Sequence, residues 1–358
     1  MKKTLVALAA LAATASFAQS NVTLYGTLDA SYGSATNVAK GTINTVHDSA
    51  VSSSVWGLRG SEDLGGGLKA IFNVESDVSI QSGSAKTDST ADRSAGSDAL
   101  FRRAANVGLA GGFGEITLGR RISPSILNSS STAVLGGNSV GTANHVAQGT
   151  AADFFTKNAI TYVTPNLGGF TGTIQYGLAA GYDGTTATAA TSDAGKYATT
   201  AGSLTYGNGP LNAGIGFQNV NNAAGALDHG VTNYRVSYAI NALTLAIGAQ
   251  QVRVGDAAAF QATYGPAQAS TSNVYSAGYQ VNPNLVVGAT LTRNDAVGTQ
   301  TNMQARYSLS KRTTAYVQAA SAAGGDKGGF ITTWGANTSG AAANNSASSY
   351  NIGIIHNF

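Results

Sequence analysis

Tyr350-Asn351-Ile352-Gly353-Ile354-Ile355-His356-Asn357-Phe358 decides the fold, because its apolar side chains fall on every second position. An extended chain sends successive side chains to opposite faces, so Tyr350, Ile352, Ile354, His356 and Phe358 share one face. Asn351, Gly353 and Asn357 take the other, with Ile355 as an apolar exception among them. A lone strand of this length is unstable, and an apolar edge needs a partner. Val22-Thr23-Leu24-Tyr25-Gly26-Thr27-Leu28-Asp29-Ala30 has the same period. Pairing of these first and last segments would close a barrel around everything between them.

Between them, tight turns alternate with long polar stretches. Val55–Gly60 and Leu68–Glu75 form the clearest hairpin, joined through Ser61–Gly67. Its alternation puts Trp56, Leu58, Leu68, Ala70, Phe72 and Val74 on one face and Arg59, Lys69, Asn73 and Glu75 on the other. Six more Gly, Pro or Asn clusters with hairpin-turn chemistry lie at Gly111–Gly114, Pro165–Gly169, Gly207–Pro210, Asn241–Ala242, Asn282–Asn284 and Ser310–Lys311. Longer loops are expected at about 33–52, 81–99, 121–155, 180–195, 219–230, 254–271, 295–299 and 322–348. Seven turns and eight loops make sixteen strands, with both ends of the chain at the short-turn rim. Strands of about ten residues are what a tilted bilayer crossing needs.

The two faces say which solvent each meets. Phe170, Ile174, Tyr176 and Leu178 alternate with Thr171, Thr173, Gln175 and Gly177; Tyr234, Val236, Tyr238 and Ile240 alternate with Arg235, Ser237 and Ala239. A soluble barrel turns its apolar face inward. Here the polar face is too rich in Arg, Gln, Asn and Thr to be a dry core, so it takes water and the apolar face takes lipid. Tyr25, Phe113, Tyr162, Phe170, Tyr206, Tyr238, Tyr279 and Tyr307 lie beside the short turns, where an interfacial aromatic girdle is expected. Only a closed sheet satisfies its backbone in hydrocarbon, and sixteen strands leave an aqueous lumen. Alternation blurs at Thr313–Ala320, where Tyr316 and several alanines fall on both faces; a subunit contact is one reading.

Composition agrees. The chain carries 46 Gly, only 10% charged residues and no Cys, which leaves neither disulfides nor thiolate metal sites to hold a fold. Lys2, Lys3, the apolar run Leu5–Ala13 and Ser16-Phe17-Ala18 read as a secretory signal peptide over 1–18, with cleavage after Ala18. Residues 19–358 would then be one transmembrane barrel. Without Lys2 and Lys3, 18 basic residues face 17 acidic ones, so nothing points to nucleic acid.

No catalytic constellation emerges, and the chain is not expected to be an enzyme. His47, His145, His229 and His356 lie far apart, no Gly-x-Ser-x-Gly elbow is present, and no spaced ligand cluster suggests a metal. Neither metal nor cofactor is expected. Gly65-Gly66-Gly67-Leu68-Lys69 is turn chemistry, since no helix follows it. Other classes stay open at this point: a barrel serving mainly as an adhesin or surface recognition protein, a barrel phospholipase, or an exported Gly/Ala-rich β-solenoid.

Val22-Thr23-Leu24-Tyr25-Gly26, Gly57-Leu58-Arg59-Gly60-Ser61-Glu62-Asp63-Leu64-Gly65, Val107-Gly108-Leu109 with Gly112-Phe113-Gly114, Leu118-Gly119-Arg120 and terminal Phe358 are similar to motifs of the Gram-negative general porins. The resemblance is nearest to porins of beta-proteobacteria such as Burkholderia, Bordetella and Neisseria, and spans the mature chain. It implies an outer-membrane homotrimer in contact with lipid and lipopolysaccharide, with a third loop folded into the lumen. Phe358 would carry the signal read by the outer-membrane assembly machinery. Arg59, Arg120 and Lys157 match positions of constriction bases in that family. Alternation turns Arg59 and Lys157 inward but Arg120 outward, unless Gly119 bulges the strand or Arg121 takes the role. Arg102 and Arg103 carry the same ambiguity. Facing acids would be Asp29, Glu75 and Asp77, with Asp153 from the third loop. That loop lacks the family's acidic Pro-Glu-Phe-Gly stretch, and His145 is its one other titratable group. Arg235 and Arg306 read as plain lumen lining. The expected function is passive diffusion of small hydrophilic solutes and ions, with weak to moderate anion preference.

Overall fold

The computed structural model describes residues 21–37, 41–85, 100–136, 154–178, 198–222, 224–255, 269–295, 298–324, 332–333, 336–337 and 347–358. The expected signal peptide, Asp153 and His145 lie outside these residues. In chain order the strands begin with β1 (Asn21–Asn37), β2 (Gly41–Asp48), β3 (Val55–Gly65), β4 (Leu68–Asp77), β5 (Ala104–Gly111) and β6 (Gly114–Ile122). A short helix, α1 (Pro124–Ser130), precedes β7 (Phe155–Val163), β8 (Phe170–Gly177), β9 (Thr199–Asn208), β10 (Leu211–Asn221) and β11 (Leu227–Ile240). Then come β12 (Leu243–Val254), β13 (Ser270–Asn282), β14 (Leu285–Asn294), β15 (Gly298–Ser308) and β16 (Thr313–Gly324). The two-residue β17 (Thr332–Thr333) and β18 (Ala336–Asn337) pair with each other, and β19 (Ala347–Asn357) ends the chain.

Every neighbouring pair in the main sheet is antiparallel, and β19 returns to β1, with Thr27 opposite Asn357 and Asn37 opposite Ala347. Phe358 and Gly26 exchange two backbone bonds of 3.1 Å at the seam. The sheet has 17 strands. β1 is long enough to take two partners on one flank, β3 along Asn21–Thr27 and β2 along Ala30–Asn37, so the barrel has sixteen staves. This corrects the expected loop over 33–52. β1 runs on to Asn37, and β2 folds back on it because Thr42, Ile43, Thr45 and Val46 are β-branched and favour an extended chain. All seven short turns occur as expected. At the first, Gly65, Gly66 and Gly67 have φ of +86°, +62° and +80°, a conformation that a side chain would strain.

The faces are the reverse of a soluble protein's. Val107, Ile247, Met303 and Ile352 are 58%, 56%, 59% and 64% exposed on the outer wall, whereas Gln175, Gln218, Thr292 and Asn302 are almost wholly buried inside. Burial in an apolar medium is worth about 1.5–3 kcal/mol for each large aliphatic side chain, so an outer wall of this kind requires lipid. Phe113, Phe170, Tyr238, Tyr279 and Tyr307 stand exposed at the short-turn rim; the Phe170 and Tyr206 rings lie 4.7 Å apart, and Tyr162 donates to the Phe113 carbonyl at 2.7 Å. Tyr25 does not join this girdle. Its neighbours Val22 and Leu24 face lipid, so Tyr25 faces the lumen.

In the stretch Thr313–Ala320, Tyr316 takes the inner face. It points inward, is 2% exposed, and donates to Asp29 at 2.6 Å. With Ala50, Val51 and Ile355 it forms a small apolar cluster inside the barrel, which is why Ile355 departs from the polar pattern of its face. Tyr316 is thus an internal strut, while Val317 and Ala319 take the outer face of the same strand.

Candidate pore constriction

The third loop enters the lumen and leans on one wall. α1 packs against β8, β9, β10 and β11, with Ile126 buried against lumen-facing Val231 and Val252. Arg235 donates to Asn128 at 2.9 Å, Asn128 donates to Asn233 at 2.6 Å, and Asn233 donates to the Ser125 hydroxyl at 2.8 Å. Further along, Val134 N–H donates to Ser276 at 3.0 Å, and Arg306 donates to the Leu135 carbonyl. Inward glycines make room. A Cβ on Gly278 would lie 2.6 Å from Val134 Cγ1, and one on Gly214 would overlap the Asn128 carboxamide. Arg235 and Arg306 therefore anchor the loop, a role that a sequence without contacts could not distinguish from solvated lining.

A charged cluster occupies the wall made by β3 to β6. Arg102 reaches Asp77 with Nε at 3.1 Å and Nη2 at 2.6 Å. Arg103 meets Glu75 at 2.5 Å and Asp77 at 3.3 Å. Burial opposes the charge on Arg103, but the carboxylates of Asp77 and Glu75 outweigh it and leave its pKa above the usual guanidinium value. The rule of alternation fails at Arg120, for a reason visible in the register. Pairing of β6 with β7 steps from Gly119–Ala159 to Arg121–Thr156, with Gly119 at φ +121° and Asn158 at φ +49°. This bulge turns Arg120 along the wall, where it donates to the Arg102 carbonyl. The guanidinium carbons of Arg102, Arg103 and Arg120 each lie 5.4 Å from the Phe155 ring. Arg121 faces the lumen and donates to Glu115 and, at 3.0 Å, to Thr117. Lys157 is half-buried within the irregular stretch of β7, where alternation counted from Ile160 no longer holds.

Arg59 is different. It is exposed to the lumen beside Asn73 and opposite Thr23, its guanidinium carbon 5.0 Å from the Tyr25 ring, and among the described residues it has no carboxylate partner. A cavity of about 370 Å³ opens here, lined by Arg59, Asn73, Asn106, Glu115 and Arg121 among others. Asp29, expected as a lumen acid, is 0% exposed and accepts from Val51 and Ser52 N–H at 2.7 Å each and from Tyr316. It ties down the return from β2 to β3. Tyr25, Phe155 and Glu115 were not singled out as site residues from sequence, although the lipid-facing parity of Val22 and Leu24 already turns Tyr25 inward.

The profile of the Gram-negative porin family matches residues 4–327. The chain belongs to that family. Outer membrane porin protein 32 of Delftia acidovorans is 36% identical to this porin over 241 residues, which cover 63% of the chain and 62% of the relative. An outer membrane porin protein of Bordetella pertussis is 32% identical over 248 residues, covering 62% and 60%. The matches thus span somewhat under two thirds of these relatives. Among solved structures, an anion-selective porin from Comamonas acidovorans superposes with a TM-score of 0.75 at 26% identity, over 95% of this porin and 100% of that chain. The sixteen-stave barrel and the outer-membrane location expected from sequence hold for this porin.

Proposed function

We propose that this porin is a water-filled channel for passive diffusion of small hydrophilic solutes and ions, not an enzyme, with a weak to moderate preference for anions. One observation carries the reading. On the wall of β3 to β6, five guanidiniums (Arg59, Arg102, Arg103, Arg120 and Arg121) gather against three carboxylates (Glu75, Asp77 and Glu115). An excess of positive charge in a narrow aqueous passage raises the local concentration of anions. The anion-selective description of the Comamonas porin supports the same sign. Reversal potentials in a salt gradient across planar bilayers test it, for the wild type and for a variant with Arg59, Arg120 and Lys157 neutralised. The wild type should prefer chloride over potassium and the variant should lose that preference. A cation-preferring wild type would reject the assignment.

The assembly belongs to the same proposal. Residues 1–18 direct export and are removed, Phe358 is read by the outer-membrane assembly machinery, and three copies associate in a membrane containing lipopolysaccharide. The charged, apolar and small residues of the N-terminus support the first of these, and the family resemblance supports the other two.

A further inference from the structure

We propose that Tyr25 is a specificity-determining positioning residue: it holds Arg59 in the lumen as an uncompensated cation by keeping it off Glu75. This rests on the reading that Arg59 contributes to anion preference.

The argument begins with a notch. Tyr25 lies opposite Gly57 on β3, and Gly57 lies opposite Glu75 on β4, so all three positions face inward. A Cβ at Gly57 would stand 2.8 Å from both Cζ and Oη of Tyr25. The phenol therefore lies across β3 where only a glycine leaves room, and it reaches two strands away. Its oxygen sits 2.7 Å from Glu75 Oε2 and 2.8 Å from Asn73 Oδ1. A phenol can donate one hydrogen bond, and the carboxylate is the stronger acceptor, so Tyr25 donates to Glu75.

Both oxygens of Glu75 are now engaged, Oε1 by Arg103 at 2.5 Å and Oε2 by Tyr25. Arg59 rises from the same strand as Gly57, two residues on, and pairs in register with Asn73, two residues before Glu75 on β4. The face of the Tyr25 ring offers it a cation–π seat at 5.0 Å instead. That contact holds the guanidinium without cancelling its charge. The other four arginines of the wall have donors committed to carboxylates or to a backbone carbonyl; Arg59 alone has only the ring, among the described residues.

The test is the permeability ratio of chloride to potassium in planar bilayers, for Tyr25→Phe, Arg59→Gln, Glu75→Gln and the pair Tyr25→Phe with Glu75→Gln. Tyr25→Phe keeps the ring and removes the hydroxyl that donates to Glu75. It should lower the ratio by at most about two- to three-fold, the limit set by one charge screened over about 7 Å of electrolyte at 0.1 M, because drawing Arg59 onto Glu75 moves its charge off the passage without changing the net charge of the wall. In the Glu75→Gln background the same change should do nothing, because no carboxylate remains for Arg59 to find. A merely structural tyrosine would shift the ratio equally in both backgrounds, which overturns the proposal. So does an unchanged ratio in Tyr25→Phe while Arg59→Gln lowers it. An unchanged ratio in Arg59→Gln would instead remove Arg59 from the filter. Heat-modifiable migration identical to wild type confirms that each variant is folded.

Discussion

Replacing Ile174 by arginine sets a charge against hydrocarbon, while the same change one residue earlier, at Thr173, sets it against water. Ile174 is exposed on the outer wall opposite Tyr162; Thr173 faces the lumen opposite Val163 and Ser203. Ile174 lies four residues above Phe170, an aromatic at the short-turn rim. At about 3.3 Å per residue and a tilt of roughly 35–45°, that rise is about 10 Å, near the middle of an apolar band about 25 Å tall. Arginine at that depth costs about 2–4 kcal/mol, roughly a 30- to 900-fold loss in the folding equilibrium. Thr173→Arg should cost under about 1 kcal/mol. The assay is urea unfolding from phospholipid vesicles, followed by the fluorescence of the two tryptophans. The denaturant slope should stay constant and only the midpoint should move. Equal costs at the two positions, or a larger cost at Thr173, would refute the assignment of lipid to the outer wall, and the channel with it.

Tyr316→Phe removes one of the three donors to buried Asp29 and should lower thermal stability in detergent by about 1.5–3 kcal/mol, with little change in ion preference. Asp77→Asn leaves Arg102 buried without its carboxylate and should cost about 3–5 kcal/mol on the same melting curve. Gly278→Leu forces a side chain into Val134 and should displace the base of the third loop, costing about 1–3 kcal/mol and altering single-channel conductance. Deleting Phe358 should reduce the amount reaching the outer membrane in cells more than it reduces refolding in detergent, if the residue acts as an assembly signal.

The strand count, the turns and the two faces were legible in Tyr350–Phe358 and its counterparts because they depend on local geometry. Extended backbone alternates its side chains wherever it occurs, and tight turns need glycine or asparagine at fixed places. Alternation failed where neighbouring strands change register. Arg120 lies at the β6–β7 bulge, whose position depends on which hydrogen bonds two separate segments make. The hairpin of β1 and β2 was missed because its Thr- and Asn-rich stretch resembles a loop in composition and becomes a strand only beside its partner.

By itself the sequence determined the class of the molecule: sixteen antiparallel crossings, lipid outside, water within, and a set of candidate bases for the lumen. Tertiary structure alone decided which of those bases stay available. Arg102 and Arg103 meet Asp77 and Glu75, Arg235 and Arg306 hold the third loop, and Arg59 stands on the Tyr25 ring. The physical reason is distance. Whether a charge is cancelled depends on a partner within a few ångströms, and closure of the barrel brings together residues as far apart in the chain as Asp29 and Tyr316.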